Sequence, residues 1–146
     1  FYEGAMVAPQ LAFIQNVLRA RIYGLPVLMH FSLCTPSVDV NCTAANQAQQ
    51  MRSMITVFLL VRGPYFYLSS SSAYVDSAFV WHKEYDVQYG EPEEEPKRVV
   101  LRPGAVRYSR KYSHCQVTVD CIDDMESAES KALCNTSLKN TTTTQY

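Results

Sequence analysis

The sequence predicts an α/β protein that ends in a β-hairpin, and three observations support this class. An amphipathic helix at residues 8–22 precedes an apolar strand at residues 26–33. A second helix, residues 44–61, leads into an aromatic strand at residues 65–69, so that strand, helix and strand form a βαβ unit with parallel strands. A strictly alternating run at residues 114–121 is typical of one strand of a hairpin.

Both predicted helices have recognisable ends. In the first helix, apolar residues from Leu11 to Ile22 recur every three or four positions, and Gly24 followed by Pro26 stops the helix. Thr43 is a suitable N-cap for the second helix. The strand between the helices is a nearly continuous apolar run, which predicts burial on both faces, as in parallel sheets.

The C-terminal part of the chain changes character twice. A short strand is predicted at residues 99–101, and the hairpin at residues 106–111 and 114–121. Acidic residues and then threonines dominate the remaining chain. We therefore expect residues 1–121 to form a half barrel with its hairpin, and residues 122–146 to form an acidic and then threonine-rich tail.

The alternation of helices and strands fits either a doubly wound sheet or part of a (β/α)8 barrel. Such a barrel typically has about 250 residues, whereas this chain has 146. Three or four parallel strands alone would leave unpaired edges. We therefore expect the C-terminal part of a (β/α)8 TIM-like barrel with a terminal β-hairpin, within a longer protein. A self-contained small α/β domain is the alternative.

The order of these segments resembles the C-terminal half of hypothetical glycoside-hydrolase-like TIM barrels, relatives of the α-amylase-type barrels. The resemblance covers residues 1–121, and the chain departs from it where Asp120-Cys121 replaces the usual strand ending. The resembling pieces are Tyr2-Glu3-Gly4, Gly24-Leu25-Pro26-Val27, Phe58-Leu59-Leu60, Trp81, Tyr85-Asp86-Val87-Gln88-Tyr89-Gly90-Glu91-Pro92, and the segments 106–112 and 115–120.

This resemblance implies a site at the carboxyl ends of the barrel strands, where barrel enzymes carry their catalytic residues. A glycosidase needs two carboxylates. Glu3 is the first candidate, at a predicted strand end, with Asp86 as the second; Glu84 or an absent N-terminal half are alternatives. A structural or ligand-binding role for Glu3 is the simpler interpretation.

Aromatic residues near these carboxylates predict a surface on which a sugar could stack. The candidates are His30, Tyr67, Trp81 and Tyr85. A histidine within a buried strand is more often a core residue, and a strand tyrosine more often packs in the sheet. Trp81 is harder to explain as packing, because it lies in an irregular segment beside charged residues.

The cysteines and sequons favour an oxidising compartment. Cys34 and Cys42 bracket a short loop and are expected to pair, and Cys121 with Cys134 is the second expected disulfide, which leaves Cys115 buried or paired with an absent segment. Three N-x-Ser/Thr sequons predict N-glycosylation and a secreted or cell-surface protein. Their asparagines are Asn41, Asn135 and Asn140.

Composition excludes several classes of function. The net charge is −1 without a basic stripe, so a nucleic-acid partner is not expected. The basic residues Arg107, Arg110 and Lys111 are expected to form a solvated face of the hairpin. The apolar runs are too short to span a membrane. Zinc-like cysteine spacing, a nucleophile elbow and a glycine-rich phosphate loop are missing from the sequence, so we expect neither a metal nor a cofactor.

Together these features predict a secreted or cell-surface glycoprotein with a glycoside-hydrolase-like barrel. The partners expected are carbohydrate and, in an extracellular assembly, copies of itself or other chain segments. We favour a binding or assembly role over catalysis, because a second catalytic acid is not defined by the sequence. An active polysaccharide-cleaving glycoside hydrolase is the alternative.

Overall fold

The computed structural model describes residues 11–34, 42–71, 81–122 and 133–140. Strands β1 and β2 form a two-stranded parallel sheet, and strands β3 to β6 form a four-stranded antiparallel sheet in sequential order. The elements in chain order are α1 (Leu11–Ile22), β1 (Val27–Ser32), α2 (Ala44–Val61), β2 (Phe66–Ser71), a 3-10 helix (Lys83–Asp86), β3 (Lys97–Arg102), β4 (Ala105–Lys111), β5 (Cys115–Ile122) and β6 (Leu133–Asn140).

The predicted barrel is wrong. The described residues contain two α-helices and six strands, four of which are antiparallel, so they do not form part of a (β/α)8 barrel. The reason lies in residues 97–122, where strands follow one another through short turns, and short turns join antiparallel neighbours only. Gly104 provides the first turn with a positive φ of 74°.

The single βαβ unit is confirmed. Strand β1 pairs with β2 in parallel, in the register that joins Val27 to Phe66. Helix α2 spans the predicted residues, and the Thr43 hydroxyl accepts a hydrogen bond from the Asn46 amide at 3.2 Å, as an N-cap should. The local signals in this region of the sequence were therefore sufficient.

The prediction that β1 is buried on both faces is wrong. Met29 and Phe31 point into the core, but Leu28 on the opposite face is 57% exposed. Its neighbour Tyr67 on β2 is 61% exposed. An apolar run allows a strand to be buried on both faces, but burial also requires an element packed against each face. The described elements cover only one face of β1.

Helix α2 is the centre of the core. It packs on α1 and on the inner face of β4, β5 and β6. Its C-terminal half is therefore buried around almost its whole circumference, including Leu60 and Val61 at 0% exposure. One continuous apolar cluster joins both sheets and both helices. Within the described residues, no helix is both long enough and apolar enough to cross a membrane.

Strand β6 lies within the segment expected to be a tail. Residues 133–140 pair antiparallel with β5, and Cys121 lies opposite Cys134. The Thr136 hydroxyl donates to the Ser53 hydroxyl of α2 at 3.0 Å. Asparagine and lysine have low strand propensity, so they conceal the alternation of this segment. Residues 123–132 and 141–146 lie outside the described residues.

The last carbonyls of α2 are held by three side chains, which we call the α2 clamp: Arg21, Arg110 and Tyr112. Arg110 donates to the Arg62 carbonyl at 2.7 Å and to the Leu59 carbonyl at 3.3 Å. Tyr112 donates its hydroxyl to Leu59 at 2.6 Å, and Arg21 donates to Arg62 at 3.1 Å. Because the carbonyl end of a helix carries partial negative charge, the two guanidinium groups are favoured there.

Arg110 departs from the expectation that the basic residues of the hairpin form a solvated face. Arg107 and Lys111 are exposed, but Arg110 is 3% exposed. Strand alternation alone explains the difference, since residue 110 shares the inner face with Tyr108. Burial lowers the pKa of the Arg110 guanidinium, although arginine remains charged at neutral pH.

An ion pair joins α1 to the acidic loop that precedes β3, residues 93–95. The Arg21 guanidinium makes a two-pronged hydrogen bond to the Glu95 carboxylate, one contact being 2.8 Å. This hydrogen bond holds the pKa of Glu95 below its usual range. Arg21 therefore links the end of α2 to Glu95 through one side chain.

The acid stability of the protein is expected to depend on this pair. A carboxyl with a lowered pKa contributes stability above its ordinary pKa, and the contribution is lost as the pH falls through the lower folded value. We expect Glu95→Gln to lower the melting temperature at neutral pH and the difference from wild type to vanish in acid. Glu93→Gln, in the same loop, removes the Glu93–Lys111 pair at the exposed Lys111 side chain and is the matched control. An unchanged pH profile in Glu95→Gln would contradict the assignment.

Candidate functional site

The residues from Trp81 to Asp86 form an exposed feature that we call the aromatic–acidic cluster: Trp81, Tyr85 and Asp86. The indole Nε1 of Trp81 donates to both carboxylate oxygens of Asp86, each at 3.1 Å. The Trp81 and Tyr85 rings meet edge to face, with centroids 5.5 Å apart. Trp81 is nevertheless 61% exposed. A large aromatic ring is thus held in place at the surface.

The cluster is attached to the core through Tyr85. The Tyr85 hydroxyl shares a 2.6 Å hydrogen bond with Ser70, a buried residue of β2. The Tyr85 amide donates to the His82 carbonyl at 2.9 Å, which closes the 3-10 turn, and the His82 ring packs edge to face on Tyr85. Tyr85 therefore connects the aromatic–acidic cluster to β2.

The loop after the cluster is tied to the turn between β4 and β5. Ser113 donates its amide to the Glu91 carbonyl at 3.0 Å, and Glu91 donates its amide to the Ser113 hydroxyl at 3.2 Å. Gly90, which immediately precedes Glu91, has a φ of 81°, and a Cβ there would lie 2.1 Å from the Ser113 hydroxyl. Only glycine fits this close approach.

A pocket of about 350 Å³ lies between this loop, α2 and β2. Tyr85 belongs both to the pocket wall and to the aromatic–acidic cluster, so the two features are continuous. Tyr89 donates its hydroxyl to the Glu84 carbonyl at 2.9 Å. Burial, with the nearby Glu84 and Cys115, raises the pKa of Tyr89 to about 12, so it stays a hydrogen-bond donor. The other polar lining residues are Arg62, Gln88 and Glu91.

His30 and Tyr67 lie elsewhere. Both line a second, more apolar pocket of about 390 Å³ between α1 and the parallel pair of strands, together with Phe13 and Leu28. Tyr67 is exposed and His30 is half-buried. Of the four residues predicted to bind carbohydrate, the structure thus joins Trp81 to Tyr85 and places His30 with Tyr67.

The predicted catalytic pair is not assembled in the described residues. Glu3 lies outside them. Asp86 is exposed and binds the Trp81 indole through both oxygens, so its observed interaction is to orient that ring. The Glu84 and Glu91 side chains share the neighbouring pocket, which sequence spacing alone did not indicate for Glu91.

The cysteine predictions are confirmed. Cys34 pairs with Cys42 and Cys121 pairs with Cys134, and Cys115 is a buried free thiol. Burial raises the pKa of the Cys115 thiol, which disfavours the reactive thiolate.

Two of the three predicted glycosylation sites lie on β6, the last strand of the antiparallel sheet. Asn135 and Asn140 are exposed on β6, opposite Asp120 and Cys115 respectively. Asn41 lies outside the described residues. The two exposed asparagine side chains are on the surface, where a glycan would have room.

The chain matches no protein-family model, and the curated proteins contain no sequence similar to it. We therefore infer the function from the geometry of the aromatic–acidic cluster and the pocket beside it.

Proposed function

We propose that the protein is a secreted or cell-surface glycoprotein that binds carbohydrate through the aromatic–acidic cluster. The observation that carries this proposal is the indole of Trp81, which is 61% exposed and yet held by Asp86 and Tyr85. A ring already fixed in place loses little conformational entropy when a ligand binds, and that increases affinity.

The chemistry beside the ring suits a sugar. An indole offers a flat apolar surface with a polar edge, on which the C–H face of a sugar ring can stack. Carboxylates accept hydrogen bonds from hydroxyl groups, and Asp86, Glu84 and Glu91 supply carboxylates at the cluster and its pocket. Tyr89 sets the shape of that pocket through its bond to the Glu84 backbone.

The two disulfides and the exposed sequon asparagines support the extracellular part of the proposal. Two disulfides are typical of oxidising compartments and rare in the cytosol. The sequon asparagines Asn135 and Asn140 are exposed, as glycan acceptors must be.

Replacing Trp81 with alanine is expected to weaken glycan binding by about tenfold or more, because a central aromatic anchor typically supplies over 1–2 kcal/mol. The measurement is titration of the protein against the strongest ligand found on a panel of soluble oligosaccharides. Trp81→Phe retains the ring but loses the bond to Asp86, so its affinity should fall between wild type and Trp81→Ala.

Tyr65→Ala is the matched control, since Tyr65 is an aromatic of similar exposure, 58%, immediately before β2. It should bind as wild type does. Equal binding by Trp81→Ala, or an equal loss in Tyr65→Ala, would contradict the proposal. Reducing-sugar release by the wild-type protein that is abolished in Glu3→Gln would instead establish hydrolysis, the alternative function.

A further inference from the structure

The first strand of the antiparallel sheet is exposed on both faces. All six residues of β3 are exposed, including Val99 at 52%, Val100 at 59% and Leu101 at 50%. Strand β4 next to it alternates between buried and exposed positions as a sheet strand normally does. β3 is therefore held by its ladder to β4, and its side chains contribute little to the core.

One edge of β3 is open within the described part of the chain. β3 is the terminal strand of the sheet, so β4 occupies one of its two edges. The other edge presents backbone N–H and C=O groups that could pair with an additional strand. Three consecutive apolar residues in the middle of the strand increase the tendency of that edge to associate with another strand.

Positive charge surrounds the open edge. Lys97, Arg98 and Arg102 flank the apolar centre. Lys97 pairs with Glu94, but neither arginine makes an ion pair with any described residue.

Arg98 lies opposite Tyr108 of β4, and both line a pocket of about 470 Å³ against α1, together with Arg19. Arg21 and Glu95 also line it and pair with each other, whereas Arg19 and Arg98 make no ion pair with a described residue. Side chains of an added strand that point toward this pocket would meet two guanidinium groups.

The same charges disfavour a second copy of the chain. If two β3 strands paired antiparallel about Val99, the register shift between Val100 and Arg102 would bring Lys97 of each copy opposite Arg102 of the other. Like charges directly opposite one another destabilise a sheet. Basic residues on an edge strand commonly prevent this kind of self-association, and they favour an acidic partner instead.

We propose that β3 binds an extended, acidic segment of a partner protein by β-strand addition. Backbone hydrogen bonds to the open edge supply affinity, and acidic side chains of the partner supply specificity. They do so through Arg98 on one face of the sheet and Arg102 on the other, since the ladder shifts register between Val100 and Arg102. This surface is separate in residues and chemistry from the aromatic–acidic cluster, so the inference does not depend on carbohydrate binding.

The test uses fluorescence anisotropy with a labelled short peptide in which pairs of adjacent glutamates alternate with pairs of valines, so that glutamates face both sides of the sheet. We expect this peptide to bind, and binding to weaken as salt is raised. A peptide with lysine in place of glutamate should not bind. The acidic peptide with N-methyl groups on alternate backbone nitrogens should also lose binding, because it cannot complete a ladder. Equal binding of the N-methylated peptide would overturn strand addition, and equal binding of the lysine peptide would overturn the acidic specificity.

The protein variants provide the second arm. Arg98→Glu combined with Arg102→Glu should weaken binding of the acidic peptide by about tenfold, because both guanidinium groups that attract its glutamates are replaced by carboxylates. Arg52→Glu, an exposed charge reversal on α2, is the matched control and should stay within about twofold of wild type. An equal loss in Arg52→Glu, no binding by wild type, or a wild-type dimer in sedimentation that Arg98→Glu/Arg102→Glu abolishes would overturn the proposal.

Discussion

Replacing Arg110 with alanine is expected to lower the free energy of unfolding by about 3 kcal/mol. The guanidinium donates to the carbonyls of Leu59, Arg62 and Glu94, and all of these bonds would be lost. Each buried carbonyl left without a donor costs about 1–3 kcal/mol, partly offset where another donor remains, as Tyr112 does for Leu59. Urea unfolding followed by tryptophan fluorescence or circular dichroism measures the change.

The matched control is Arg107→Ala on the same strand. Arg107 is exposed and pairs with Asp120 at 2.6 and 2.7 Å on the outer face of the sheet. Its loss should leave the unfolding midpoint nearly unchanged, because exposed ion pairs contribute little. Arg110→Lys should fall between wild type and Arg110→Ala, since an ammonium cannot reproduce the fork of a guanidinium. Similar midpoints for Arg110→Ala and Arg107→Ala would show that the α2 clamp is not a source of stability.

Removing the disulfide between β5 and β6 is expected to have the second large effect. In Cys121→Ser/Cys134→Ser, the chain entropy of the unfolded state rises, because a loop with a sequence separation of 13 is no longer closed. For a loop of this size the loss of stability is about 3 kcal/mol. Both cysteines are also buried against the core, so the serine hydroxyls add a desolvation cost. Denaturant unfolding of the purified variant checks the value.

Mild reductant provides an independent comparison for this variant. Wild-type protein in reductant loses both disulfides, so it should be less stable than Cys121→Ser/Cys134→Ser under oxidising conditions. The variant should itself lose further stability in reductant, because Cys34–Cys42 is still present. A variant as stable as wild type in oxidising buffer would mean that the hydrogen-bonded ladder alone holds β6.

The elements that could be predicted from the sequence are those with strong local signals. Helix α2 has a capping threonine, a long apolar pattern and a Gly63-Pro64 stop, and its bounds agree with the prediction. The hairpin strand β5 alternates strictly and is also found. The parallel pairing of β1 with β2 follows from the helix between them.

The incorrect predictions concern properties that depend on how neighbouring layers pack together. Extending one βαβ unit to a barrel assumed that the alternation continued, whereas β3, β4 and β5 follow one another through short turns and pair antiparallel. Leu28 is exposed because burial is a property of the assembled layers. Arg110 was assigned to the surface because it is charged. Strand alternation places it on the inner face with Tyr108, but only the packed helix provides the carbonyls that it binds there.

The candidate site was partly predictable. Trp81, Tyr85 and Asp86 are close in sequence, and the structure brings their side chains together. Their arrangement depends on Ser70, which is distant in sequence and lies on β2. His30 and Tyr67 are separated from the cluster for a related reason. Strand alternation and the register of β1 with β2 place both on the face of the parallel pair opposite to Ser70.

The α2 clamp has a consequence for how the molecule can be divided. Helix α2 belongs to the N-terminal βαβ unit, but two of the three side chains that hold its last carbonyls come from the β4–β5 hairpin. A fragment that stopped after β2 would leave those carbonyls and the apolar underside of the helix in water. The βαβ unit and the antiparallel sheet are therefore one cooperative folding unit, and neither is a module that evolution or an engineer could exchange alone.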